Sequence, residues 1–141
     1  MRFTHNAIVT ANAEALIGWY GRWCKMRLVR DRIEADGTRV AWLAAPERKD
    51  LIFVLIETKD PNRVSNPPKS LGEHFGFALV NKSEVDSLRQ AMNDAGETVT
   101  ECEDYGGIVG YLFIAKDPEG RNVEFSFGQD VSEANWDASL A

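Results

Sequence analysis

The stretch KDPEGRNVEFSF, Lys116 to Phe127, joins a turn to an alternating strand. Asp117 can accept from its own backbone, Pro118 presets φ, and Gly120 tolerates positive φ, so Asp-Pro-Glu-Gly reads as a tight turn. In the strand that follows, Val123, Phe125 and Phe127 fall on one face and Asn122, Glu124 and Ser126 on the other. For one isolated strand the plainer reading sends Glu124 to solvent. The organisation of the rest of the chain decides whether that holds.

Working outward, the second half opens with a strand at EHFGFALV. A helix follows, with Ser83 as the expected N-cap and Asp86 three residues on. Val85, Leu88 and Met92 form its buried stripe, and Gly96 its terminating glycine. ETVTEC, GYLFIAK and RNVEFSF complete a β-α-β-β-β series. The first half gives the same series. FTHNAIVT is a strand, and Ala13 to Lys25 a helix with Leu16, Trp19, Tyr20 and Trp23 on one stripe. MRLVRDRIE and TRVAWLA form a hairpin about Ala-Asp-Gly, and LIFVLIET is a third consecutive strand. The expected fold class is therefore α+β, built from two βαβββ modules, 1–58 and 73–128. A Pro-, Asn- and Ser-rich linker spans 59–72, and a polar tail spans 129–141 with Trp136 as its one aromatic.

Composition removes several function classes. The chain has 141 residues, a net charge of −6, 44% hydrophobic and 27% charged residues, which is ordinary for a globular protein. Its lysines and arginines are scattered, so no basic stripe exists for nucleic acid or an anionic lipid surface. The longest apolar run, LIFVLI at 51–56, is strand-sized and too short to span a membrane. MRFTHNAIV lacks the apolar region of a signal peptide. Cys24 and Cys102 are isolated, and both read as packing groups. A reduced, cytoplasmic protein is expected.

His5 and His74 are the only histidines; they lie 69 positions apart, each at the start of its half's first strand. Glu57 and Glu124 lie 67 apart, each in its half's last strand. Imidazole and carboxylate together suit a divalent metal of intermediate softness, such as Zn, Ni, Co, Fe or Mn. Taken singly, each histidine reads more plainly as a structural or surface residue. Four placements that respect one internal repeat are harder to assign to accident.

The segments FTHNAIVT, WYGRWCKMRLV, EHFGFALV and KDPEGRNVEF resemble the vicinal oxygen chelate superfamily, which includes glyoxalase I, fosfomycin-resistance transferases, extradiol dioxygenases and bleomycin-binding proteins. Lys25 departs from that pattern, standing where a glycine is usual. The resemblance implies a glyoxalase-like fold in which paired modules form a curved mixed sheet around a cup, with the polar face of the last strand lining it. It implies metal ligands at His5, Glu57, His74 and Glu124. The placement of Glu57 depends on register, since a one-residue slip in LIFVLIET would turn it to the other face.

The resemblance also ranks the chemistry. Extradiol cleavage needs a further histidine, and both are already assigned. A glyoxalase I-like lyase fits the ligand set best: Zn, Ni or Co, with Mn or Fe as further options, would stabilise an enediolate from a small carbonyl or thiol-adduct substrate. Glu124 is the expected catalytic base and Glu57 its counterpart. Arg30, Arg32, Arg39 and Arg121 are of the right type to hold a substrate carboxylate. The alternatives are a metal-free, bleomycin-type binding protein, with Trp19, Trp23, Trp42 and Tyr111 as candidate rings, and a fosfomycin-type thiol transferase. Expected partners are a small-molecule substrate and a second copy in a homodimer, with no nucleic acid and no membrane.

Overall fold

The computed structural model describes residues 1–140. The chain folds as β1 (His5–Thr10), α1 (Ala13–Cys24), β2 (Arg27–Ile33), β3 (Arg39–Ala44) and β4 (Ile52–Glu57), followed by β5 (His74–Ala78), α2 (Lys82–Asp94), β6 (Glu103–Asp104), β7 (Tyr111–Lys116) and β8 (Asn122–Phe127). The β-α-β-β-β series is thus present twice. The strands form two four-stranded mixed sheets, ordered β1-β4-β3-β2 and β5-β8-β7-β6. In each, the first strand pairs parallel with the last and the remaining pairings are antiparallel. Contacts divide the molecule into two compact units. The first is Met1–Pro67 with Asp117–Glu119; the second is Pro68–Lys116 with the chain from Gly120 onward. No helix of the described residues is long and apolar enough to cross a membrane.

In the first unit α1 lays its stripe on the sheet, burying Leu16, Trp19, Tyr20 and Trp23 with Leu43, Phe53 and Leu55. Tyr20 stands edge-on to Phe53 at 5.2 Å between ring centroids. Its hydroxyl donates to Asp117 Oδ2 at 3.0 Å, so the Asp-Pro-Glu-Gly turn docks on this helix. Glu119 Oε1 of the same turn accepts from the Thr10 hydroxyl at 2.6 Å and the Ala11 N–H at 2.9 Å. Asn12 caps α1 by accepting from the Ala15 N–H. The helix ends on Lys25 itself, in the left-handed conformation at φ 57°, where a glycine would carry no Cβ penalty.

In the second unit α2 packs on β7 and β8, burying Val85 and Met92. Phe113 and Phe125 stack beneath it at 5.2 Å. The N-cap is Asn81 rather than the expected Ser83. Asn81 is extended and accepts from the Glu84 N–H, while Glu84 Oε2 accepts from the Val80 N–H. The cap is therefore shifted two residues toward the N-terminus, with Glu84 reaching back to the residue before it, and the Ser83 hydroxyl donates to the capping amide oxygen. At the other end Gly96, at φ 81°, and Glu97 close a Schellman motif on Asn93 and Met92. ETVTEC forms less regular strand than expected, one bridge of Val99 to Ala115 before the two-residue β6. Thr100 explains the interruption: its hydroxyl accepts from the Ile114 N–H while its own N–H donates to Ile114 O.

Candidate metal-binding site

Strand register decides which side chains share a face. In the second sheet His74 lies opposite Asn122, and Gly76 opposite Glu124. Across the next pair, Asn122 lies opposite Lys116 and Glu124 opposite Ile114. Since side chains alternate, one face carries His74, Gly76, Asn122, Glu124, Ser126 and Lys116, and the face against α2 carries Val123 and Phe125. The part of this face on β8 is buried, whereas His74 and Gly76 on the edge strand β5 are exposed. Asn122, Glu124 and Ser126 are 1%, 3% and 1% exposed.

On this face His74 Nε2 stands 3.1 Å from Glu124 Oε2. The ring's other nitrogen, Nδ1, lies 3.1 Å from the Leu71 carbonyl oxygen. A carbonyl oxygen only accepts, so Nδ1 carries the proton, and in the neutral ring Nε2 is left with a lone pair aimed at a carboxylate. Two acceptors at that distance need a proton or a cation between them. The second carboxylate oxygen, Glu124 Oε1, is buried and has no hydrogen-bond partner. An orphaned buried acceptor costs roughly 1–3 kcal/mol, more when charged, and calls for an explanation such as an ion or a catalytic role. Gly76 lies beside that oxygen, and a Cβ there would make contact with it at 3.4 Å. An imidazole lone pair, an unsatisfied carboxylate and a second hydrogen bond orienting the imidazole form a donor set that fits a divalent metal.

In the first unit His5 occupies the equivalent position at the start of β1, opposite Ile52, and its Nδ1 lies 2.9 Å from the Thr4 hydroxyl. The residue that corresponds to Glu124 follows from the same register. Gly76, two beyond His74, pairs with Glu124; Ala7, two beyond His5, pairs with Val54. Glu57 pairs with Thr10 at the far end of the strand and falls on the opposite face, with Phe53 and Leu55. The structure therefore does not bring Glu57 to His5. The Glu57 carboxylate serves the helix instead: Oε2 accepts from the Ala13 N–H at 2.8 Å, and Arg39 Nη1 lies 3.9 Å away. Arg39 is bound to Asp31 and Glu14 as well, which removes it as a free substrate cation. Among the described residues no group of three or more His, Cys, Asp or Glu side chains is gathered as a metal cluster.

The other candidates divide similarly. Arg30 and Arg32 lie opposite Trp42 and Val40, on the face that carries His5. Arg30 sits over the half-exposed Trp42 ring at 5.0 Å. Trp19 and Trp23 are buried in the core, and Arg121 is buried too. The Tyr111 hydroxyl donates to Asp86. Trp136 is exposed, with its indole N–H bonded to Val131 O. Asn122 was legible only as a polar neighbour of Glu124; nothing in the sequence signalled its bonds to main-chain carbonyls.

Two βαβββ units, each placing a histidine at the head of its first strand, define a duplicated α+β protein with a candidate ligand pair in its second sheet. The sequence pattern of the Glyoxalase/Bleomycin resistance protein/Dioxygenase superfamily matches residues 2–125, and the chain belongs to that superfamily. It is 35% identical over 129 residues to a Pseudomonas aeruginosa protein described as uncharacterized, covering 91% of this chain and 89% of that one. Its fold is similar to the trypanothione-dependent glyoxalase I of Leishmania major, with a TM-score of 0.69 at 16% identity over 92% of this chain and 88% of that one. It is equally similar to TnmS3, an antibiotic-binding protein from Streptomyces sp. CB03234, with a TM-score of 0.67 at 16% identity over 90% and 95% of the two chains. At these identities the two structures speak for the fold alone.

Proposed function

We propose that the chain is a divalent-metal-dependent enzyme of the superfamily, with His74 Nε2 and the Glu124 carboxylate as metal ligands. The observation that carries the reading is the buried Glu124 carboxylate, with one oxygen against His74 and the other without a partner. Zn, Ni or Co suits such donors best, with Mn or Fe as further options. The metal, when bound, would act as a Lewis acid toward a small substrate offering two neighbouring oxygens.

The proposed reaction is a glyoxalase-like isomerisation in a single-carboxylate form. Glu124 takes a proton from the carbon next to a carbonyl and returns it to the neighbouring carbon, with no net oxidation. Glu57 has no part in this version, because its carboxylate is held at the N-terminus of α1. A methylglyoxal–thiol hemithioacetal is the substrate class to try first. A homodimer is part of the proposal and is checked by light scattering. A second reading, a metal-free binder of small aromatic ligands, rests on Trp42, which is 38% exposed beneath Arg30.

Calorimetric titration of the chelator-treated protein with Ni, Co, Zn and Mn tests the proposal. Saturable binding is expected, weakened at least a hundredfold in His74→Ala and Glu124→Gln, together with hemithioacetal isomerisation lost in Glu124→Gln. Absence of uptake of all four ions in the folded protein would sink the enzyme reading and leave the aromatic binder.

A further inference from the structure

The sequence singles out Glu124 and His74, but the residue between them in the register is the more tightly bound. Asn122 sits opposite His74 on one side and Lys116 on the other. It is 1% exposed. Its Nδ2 donates both hydrogens to main-chain carbonyls, Ser70 O at 2.9 Å and Glu73 O at 3.1 Å. Its Oδ1 accepts from the Lys116 ammonium. These partners fix the orientation of the amide, since carbonyl oxygens require the NH₂ side and an ammonium requires the oxygen.

The segment that Asn122 grips is the one that orients His74. Ser70, Leu71, Gly72 and Glu73 form an exposed turn, closed by Glu73 N–H to Ser70 O at 3.1 Å and Gly72 N–H to Ser70 Oγ at 3.1 Å. Leu71, between the two gripped carbonyls, supplies the oxygen that holds His74 Nδ1. An exposed turn has little apolar packing to restrain it. The bonds that tie it to the last strand are those made by Asn122.

We propose that Asn122 is a positioning residue for the candidate metal site. By clamping the Ser70–Glu73 turn it sets the Leu71 carbonyl, and through it the tautomer and direction of the His74 ring. Lys116 assists by holding the amide in its working orientation. Hydrogen bonds of this kind, outside the ligands themselves, change metal affinity by about 10- to 100-fold. The proposal rests on the reading of His74 and Glu124 as a metal-binding pair, and the experiment separates the two.

Asn122→Asp keeps an oxygen for Lys116 but turns an acceptor toward the Ser70 and Glu73 carbonyls. Two readouts are taken in wild type and variant: Ni²⁺ affinity by calorimetry, and the hydrogen-bonded imidazole Nδ1–H proton of His74 by NMR in the metal-free protein. Wild type is expected to show a slowly exchanging Nδ1–H signal. The folded variant is expected to lose that signal and to bind Ni²⁺ about tenfold more weakly. Loss of the signal with no Ni²⁺ binding by the wild type would uphold the positioning role and reject the metal reading. A folded variant that retains both the signal and the wild-type affinity would overturn the proposal. Should Asn122→Asp not fold, Lys116→Met decides by the same proton signal: weakened or lost supports the clamp, unchanged overturns it.

Discussion

Glu57→Gln keeps the size of the side chain and one acceptor for the Ala13 N–H while removing the charge. At the start of α1 the carboxylate does two things: it accepts that N–H at 2.8 Å, and it places negative charge at the positive end of the helix. A hydrogen bond to a charged acceptor exceeds a neutral one by about 1 kcal/mol. A charge in the first helical turn adds roughly 0.3–1 kcal/mol. Arg39 adds little, because at 3.9 Å it is a weak partner and it keeps Asp31 and Glu14. The Glu57 side chain is 32% exposed, so solvent screening trims the sum to about 1 kcal/mol. For a chain of this size that lowers Tm by about 3–5 °C. Calorimetric unfolding and Ni²⁺ titration of the variant read both roles. The expected result is the lowered Tm with metal affinity within about twofold of wild type. Unchanged stability with a hundredfold loss of metal affinity would refute the register argument and return Glu57 to the ligand set.

Three further outcomes follow from particular contacts. Lys25→Gly relieves a left-handed residue at φ 57° and should stabilise by about 1 kcal/mol, less the lost Lys25 Nζ bond to Arg22 O; urea unfolding reads the midpoint, and a lowered one would contradict it. The Arg39 guanidinium holds the Asp31 carboxyl below the usual carboxylate range. A depressed folded-state value stabilises above the unfolded pKa of about 3.9 and loses that contribution as pH falls through the folded value. Asp31→Asn should therefore be less stable at neutral pH and converge with wild type in acid, whereas a pH-independent gap would exclude the linkage. Burial pushes the Cys24 thiol far up, so iodoacetamide at pH 8 should leave Cys24 unmodified in the folded protein; mass spectrometry of the peptides finds it alkylated if the core reading fails.

The periodicities of the sequence carried the architecture because helix and strand periods are local. The stripe Leu16–Trp19–Tyr20–Trp23 and the alternation of RNVEFSF survive any change in the loops. Pairing between halves was less legible. His5 and His74 correspond across 69 residues, but β4 and β8 correspond across 70, since Ile52 and Asn122 lie opposite the two histidines. Counting 67 residues back from Glu124 reaches Glu57, three positions off and, being an odd step, on the other face. Val54, the true counterpart of Glu124, carries no chemical signal. Asn122 was hidden for a different reason: its partners at Ser70 and Glu73 are main-chain carbonyls, which no side-chain pattern records. The cap is ambiguous in the sequence, since Ser83 and Asn81 both have capping chemistry and a carboxylate three residues on.

The central claim, that His74 and Glu124 hold a divalent metal, is tested most directly by metal content. Plasma mass spectrometry of protein purified without an affinity tag, beside His74→Ala and Glu124→Gln, should find close to one divalent ion per chain in the wild type and little in either variant. Equal metal content in all three proteins, or none in the wild type after incubation with Ni²⁺ and Zn²⁺, would contradict the account.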